Sequence, residues 1–336
     1  KNILVTGGAG FIGSNLLIYF ANKYPEYNFY NIDSLTYAAD LNNLVEIEKL
    51  DNYKFFEINI TNEKKINYLL KKYKIDSVIH LAAESHVDNS IENPNEFAIT
   101  NIIGTLNLLN CAKNNWNNFK NKLFYHVSTD EVFGSLDDTS GVFIEDTSYD
   151  PRSPYSASKA SSDHFVRAFY HTYKLPVLIS NCSNNYGPRQ HKEKLIPKTI
   201  DHAINLKKIP VYGDGMNIRD WLFVTDHVEA IDKVFHNGRL GETYLIGGNN
   251  EMTNLDIVKL IIKEVDKKMG RNKSSKDLIV FVEDRKGHDF RYAIDSSKIK
   301  NKLNWKPKYH FDEAISKTID WYINNRNWWA KILDNS

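Results

Sequence analysis

The stretch Asn2-Ile3-Leu4-Val5-Thr6-Gly7-Gly8-Ala9-Gly10-Phe11-Ile12-Gly13 decides the fold. Residues 2–6 form an apolar run that stops at glycines, as a buried strand does. Residues 12–23 then carry Ile12, Leu16 and Phe20 at helical spacing. Glycines at 7, 10 and 13 permit a tight turn between the two and let the backbone approach a pyrophosphate closely. The helix N-terminus behind them offers unpaired N–H groups to phosphate charge. Glycines alone are a weak signal; the strand before and the helix after make this turn specific for a dinucleotide.

Working outward, Asp33 ends the second apolar run, about 20 residues beyond Gly13, where a carboxylate can accept hydrogen bonds from a ribose 2′-hydroxyl. The same charge repels a 2′-phosphate, so NAD is expected rather than NADP. Strand-like runs at 29–32, 53–58, 77–81, 123–128 and 176–181 alternate with helix-like segments at 63–73, 94–114 and 155–173. Thr61 or Asn62 is the expected N-cap of the first of these helices. That alternation predicts an α/β protein with a doubly wound parallel sheet of the Rossmann type. Asn59 and Ile60 follow the third strand, where the adenine is expected. Leu81, Ala82 and Ala83 follow the fourth, small enough for the cofactor to lie against backbone.

After Cys182 the pattern turns irregular, with helical segments expected at 195–206, 226–235, 254–269 and 312–325. A smaller C-terminal substrate lobe interleaved with the sheet is expected. Residues 1–180 with 220–248 form the cofactor domain, and 181–219 with 249–336 the second. Residues 267–276 read as an exposed loop.

Composition excludes several classes. The net charge is +1 over 336 residues, which argues against nucleic acid as a partner. No apolar run approaches the roughly 20 residues of a membrane helix. The strand at residue 2 leaves no expected leader segment. Cys111 and Cys182 have neither metal nor disulfide spacing, read as core residues, and fit a reducing, cytoplasmic setting. No metal is expected.

Tyr155 and Lys159 stand at i and i+4 and share a helix face. A nearby ammonium and the positive nicotinamide can lower the phenol's pKa and make it a usable base. Thr129, Asp130 and Glu131 end the fifth strand, where open parallel sheets bind ligands. Two adjacent carboxyls can act as acid and base, as elimination of water requires.

These segments together resemble the dTDP-glucose 4,6-dehydratase family of extended short-chain dehydrogenases. The resemblance rests on Thr129-Asp130-Glu131, on Tyr155 with Lys159, and on the segments starting at Leu81, Asn181, Glu193, Gly213 and Asp284. It covers essentially the whole chain. It implies that Tyr155, supported by Lys159 and Thr129, takes the C4 hydroxyl proton. It implies that Glu131 takes the C5 proton and Asp130 protonates the leaving C6 hydroxyl. Gly7, Gly10, Phe11, Ile12, Gly13, Asp33, Asn59, Ile60, Leu81, Ala82, Ala83, Tyr155 and Lys159 would meet NAD. Ser85 and His86 would lie near the sugar, and Asn185, Glu193, Lys194 and Leu195 would hold the sugar-diphosphate. Arg219, Arg285 and His288 would face phosphate, with Tyr212 and Asn254 bordering the nucleotide. A homodimer is implied, with the helices at 94–114 and 155–173 as its interface. Asn59, Phe133 and Lys286 depart from the family's usual Asp, Tyr and Pro; Phe133 is expected to pack. Other readings are a UDP-glucose dehydratase, a nucleotide-sugar 4-epimerase and a non-catalytic NAD-binding regulator.

Overall fold

The computed structural model describes residues 1–137, 140–326 and 328. Twelve strands occur among them. They are β1 (Asn2–Thr6), β2 (Asn28–Asp33), β3 (Tyr53–Glu57), β4 (Ser77–His80), β5 (Leu123–Thr129), β6 (Val177–Cys182), β7 (Asn184–Tyr186), β8 (Ile209–Tyr212), β9 (Ile218–Phe223), β10 (Thr243–Ile246), β11 (Glu251–Thr253) and β12 (Ile279–Val282). Seven of them form one sheet in the order β10-β6-β5-β4-β1-β2-β3, with every pairing parallel.

A parallel sheet must be covered on both faces, which is why its strands read as apolar runs. Successive side chains of β1 divide between two cores. Ile3 and Val5 pack with Leu16, Phe20, Val228 and Val234, under the helices Phe11–Lys23 and Val224–Asn237. Leu4 packs with Leu69, Leu108, Val166 and Phe169, under Glu63–Lys72, Thr105–Asn115 and Pro154–Tyr173. Each fully buried side chain of this kind contributes about 1.5–3 kcal/mol. Asn62 caps the helix that follows it, accepting from Lys65 N (3.1 Å).

The sheet order reverses between β1 and β4, which opens a crevice at their carboxyl ends. There the two backbones nearly touch. Gly7 has φ +71°, and a Cβ on it would lie 2.7 Å from the Ala82 Cα.

Four sequence expectations need correction. The sheet gains a seventh strand, β10, beside β6. The span 94–114 is not one regular helix. Pro94–Phe97 is α-helical, Ala98–Gly104 a π-helix and Thr105–Asn115 α-helical again. The wide turn frees the Asn101 carbonyl to accept from both Ser162 Oγ and Thr105 Oγ1, each at 2.6 Å. The second half is more regular than its sequence suggests. It holds the sheets β11-β9-β7 and β12-β8 beside a core that includes Tyr186, Ile200, Ile261, Ile315 and Tyr322, and a helix at Ser297–Leu303 whose Ile299 joins the core of the main sheet instead. The stretch 267–276 is exposed only in part. Ser275 is buried, and both its N (2.7 Å) and its Oγ (2.6 Å) donate to Asp266. No helix among the described residues is long and apolar enough to cross a membrane.

Candidate active site

A crevice of about 350 Å³ runs along the carboxyl ends of β1 to β6. Every residue expected to meet a dinucleotide lines it: Gly7, Gly10, Phe11, Ile12, Gly13, Asp33, Asn59, Ile60, Leu81, Ala82 and Ala83. Gly10 is the N-cap of the helix Phe11–Lys23 and supplies no side-chain bond to it, so the first N–H groups face the crevice uncapped. Asp33 accepts from Ala9 N (3.0 Å) and Leu35 N (2.9 Å), which locks the glycine turn against the end of β2. Asn59 turns its amide oxygen onto Thr61 N (2.9 Å) and Thr61 Oγ1 (2.8 Å). Ser128 Oγ, Asp130 Oδ2, Asn184 Oδ1 and Gln190 Oε1 are buried at the crevice with no hydrogen-bond partner among the described residues. Unpaired buried polar atoms are costly, so they mark where a polar ligand belongs.

Thr129, Asp130, Glu131, Tyr155 and Lys159 line the same crevice. Thr129 closes β5, and its Oγ1 caps the short 3₁₀ turn Asp130–Phe133 by accepting from Glu131 N (3.3 Å). Thr129 is therefore the cap, and Asp130 is left for other work. Phe133 stacks on Phe143 with centroids 5.3 Å apart, packing as expected. Ser153 and Ser156 form a capping box with Pro154 at the first turn, which starts the helix that carries Tyr155 and Lys159.

The two carboxyls differ in their surroundings. Burial drives Asp130 well above its ordinary range, and Glu131 and Asp220 beside it push the same way. Burial raises Glu131 too, but the cations of Arg219, Lys194 and Arg285 oppose it. Burial, and then the carboxylate of Glu131, also push the Tyr155 phenol well above its ordinary value. Among the protein's own groups the Thr129 hydroxyl acts the other way, by hydrogen bonding, and is outweighed. Lys159 instead donates to Val127 O (3.0 Å) and is itself lowered by burial.

The substrate candidates divide. Ser85, Asn185, Glu193 and Lys194 line the crevice. Lys194 donates to Ser85 O (3.0 Å), tying the two walls together. Burial would raise Glu193, but His191, Lys194 and His86 hold it below its ordinary value. His86, Leu195, Tyr212, Arg219, Asn254, Arg285 and His288 are not in the crevice lining. Leu195 and Asn254 instead start helices. Arg285 is gripped by Asp88, with Tyr212 donating to the same carboxylate (3.3 Å) and His86 Nε2 3.8 Å away. His288 Nδ1 lies 2.7 Å from Asp284 Oδ1. Arg219 donates to the carbonyls of Ile218, Asp289 and Phe290 and lies over the Tyr292 ring at 4.3 Å.

Sequence reasoning missed several crevice residues, among them Thr100, Asn184 and Gln190. Cys182, read as plain core, also faces the crevice. It ends β6, and burial pushes its thiol up to about 12. Its strand-end position was the available signal. Among the described residues, no cluster of His, Cys, Asp and Glu is arranged to hold a metal.

The sheet order, the glycine turn and the Tyr155–Lys159 pair define a protein of the short-chain dehydrogenase type. A family model described as GDP-mannose 4,6 dehydratase matches residues 4–318. The dTDP-glucose 4,6-dehydratase of Neisseria meningitidis is 46% identical over 345 residues, covering 100% of this chain and 97% of that protein. The solved dTDP-glucose 4,6-dehydratase from Bacillus anthracis, in complex with NAD, superposes with a TM-score of 0.89 at 46% identity, over 99% of each chain. That from Streptomyces venezuelae, with NAD and TYD bound, gives 0.91 at 40% identity, over 99% of this chain and 100% of the other. The chain belongs to the 4,6-dehydratase family and is an enzyme of the dehydrating lyase kind.

Proposed function

We propose that this enzyme converts dTDP-glucose to dTDP-4-keto-6-deoxyglucose with NAD held in the crevice throughout. The observation that carries the reading is the pair Asp130 and Glu131 beside Tyr155: burial raises both, but the cations of Arg219, Lys194 and Arg285 oppose it at Glu131, while at Asp130 two carboxyls add to it and the cation of Arg219 opposes it. Two carboxyls whose environments push them apart supply an acid and a base at one pH.

The crevice fits the cofactor. Its uncapped helix N-terminus suits a pyrophosphate, its Gly7–Ala82 approach suits a flat ring against backbone, and Asp33 suits a ribose hydroxyl. NAD held there would supply the hydride acceptor for C4 of the sugar and, once reduced, the hydride donor for C6. Tyr155 takes the C4 hydroxyl proton, with Thr129 holding that hydroxyl and Lys159 supplying positive charge. The 4-ketone acidifies C5; Glu131 removes the proton there and returns it to C5 once C6 has received hydride. Asp130, kept protonated by burial, gives its proton to the departing C6 hydroxyl.

Ser85 and His86 flank the sugar. Asn185, Glu193, Lys194 and Leu195 hold the sugar-diphosphate, and Arg219, Arg285 and His288 its phosphate charge. Tyr212 and Asn254 border the base. Residues 1–180 with 220–248 form the cofactor domain and the remainder the substrate domain. Two copies pair through the faces that carry Ile99, Ile103 and Phe165, which are 55%, 52% and 37% exposed. Large apolar side chains left exposed on neighbouring helices support that reading. Two reduced cysteines fit a cytoplasmic location.

Product mass tests the reading. Loss of one water from dTDP-glucose with no net change in NAD supports it. An isomer of unchanged mass would overturn it in favour of an epimerase, and faster turnover of UDP-glucose would change the base.

A further inference from the structure

Behind the Tyr155–Lys159 face lies a buried polar cluster that the reaction does not use directly. Asp163 sits one helical turn beyond Lys159 with no exposed surface. Its Oδ2 accepts from Tyr149 OH (2.7 Å) and Asn181 Nδ2 (3.0 Å), and His126 Nε2 lies 3.1 Å from its Oδ1. Arg167 donates to Tyr149 OH (2.8 Å) and Thr243 Oγ1 (3.1 Å) behind it. Asn181 Nδ2 also donates to Thr129 O (2.9 Å), so the cluster reaches the last residue of β5.

We propose that Asp163 is a positioning residue of this enzyme: its carboxylate keeps Lys159 a cation below Tyr155 and, through Asn181, fixes the Thr129 segment. This rests on the assignment of Tyr155 and Lys159 given above.

Each element packed against Lys159 brings its titratable groups: His80 from β4, His126 from β5, Cys182 from β6, and Tyr155 and Asp163 from its own helix. Burial keeps His80 and His126 neutral, with His126 lowered to about 4, and it pushes the Cys182 thiol up to about 12. Burial would raise Asp163 as well, but His126, Lys159 and Arg167 hold it down to about 2. At neutral pH Asp163 is therefore the anion of this set. A buried ammonium without an anion tends to lose its proton. A lysine that loses its proton can no longer favour the phenolate of Tyr155.

The test uses Asp163→Asn and Tyr149→Phe in the NAD-loaded enzyme. Asp163→Asn removes the charge and keeps the shape. The alkaline limb of kcat/KM, where Lys159 deprotonates, then moves to lower pH by roughly one unit. Tyr149→Phe keeps the charge and loses one donor, so it lowers kcat without moving that limb. An unmoved limb in Asp163→Asn, with fold confirmed by circular dichroism, reduces Asp163 to scaffold and overturns the inference. Should Asp163→Asn fail to fold, ¹⁵N resonances of the lysine side chains decide in the unaltered protein. Lys159 Nζ is ammonium at pH 7.5 if the inference holds, and a neutral amine there sinks it. That signal needs no turnover, and absent dehydratase activity in the unaltered enzyme would count against the function alone.

Discussion

Asp88 and Arg285 form a two-point ion pair, Nε to Oδ1 at 2.6 Å and Nη2 to Oδ2 at 3.1 Å. The pair joins the first turn of the helix Val87–Glu92 to the loop after β12. Both side chains are partly shielded, at 31% and 22% exposure. The fork geometry orients the guanidinium and leaves Nη1 outside the grip of Asp88.

Asp88→Asn releases that orientation. KM for the nucleotide sugar rises about fivefold, the worth of a half-exposed pair, while kcat is nearly unchanged. Steady-state kinetics check this; an equal fall in kcat would place Asp88 in the chemistry instead.

Asp130→Asn combined with Glu131→Gln stops the elimination but spares the C4 oxidation in part. Turnover drops by on the order of 10²-fold or more. Reduced nicotinamide then builds up on the enzyme and is seen by absorbance. Full dehydratase turnover in the double variant would cancel the acid–base assignment.

Asp33→Asn weakens NAD binding about tenfold, because one charged acceptor for the ribose is lost and the bond from Ala9 N weakens. Titration calorimetry reads this directly. NADP binds the unaltered protein poorly, and a preference for it would refute the role of Asp33.

Ile103→Glu puts a charge in the exposed apolar face of the helix pair. Sedimentation shows a monomer for the variant and a dimer for the parent. A parent that is already a monomer removes the proposed interface.

Acid weakens the fold through Asp232. Burial would raise this carboxyl, but His236, Lys23 and Tyr24 hold it at about 2 against an ordinary 3.8. A depressed carboxyl stabilises above its unfolded pKa, so about 2 kcal/mol is present at neutral pH and fades as pH falls from about 4 to 2. Asp232→Asn lowers the thermal midpoint at pH 7 and leaves it nearer the parent's at pH 2.5. Parallel pH curves for the two proteins would contradict this.

What the sequence made legible follows from physics. Strands buried on both faces must be apolar runs, so β1 to β6 and the helices between them stand out. The glycine turn, Asp33 and the Tyr155–Lys159 spacing are local patterns, and the fold brings them to one crevice. β9 is hidden by Arg219 and Asp220, both buried and both paired. Asp220 accepts from Gly248 N (2.8 Å) and Asn250 N (2.7 Å), residues far along the chain. β10 has four residues and lies beyond a turn. The partners of Asp163 come from three separate segments, and no spacing reveals them. The burial that raises the phenol of Tyr155 comes from the fold and leaves no mark in the local spacing.

The late arrival of β10 and of the helix Val224–Asn237 bears on how the chain is made. β1 and its glycine turn leave the ribosome well before residues 224–237, yet one face of their sheet is closed in part by Val228, Ile231 and Val234. At the usual 5–20 residues per second, that face is covered only by the helix Phe11–Lys23 for on the order of ten seconds or longer. Nascent chains of this enzyme are therefore natural clients for chaperones, and fragments ending before residue 224 are expected to aggregate rather than fold.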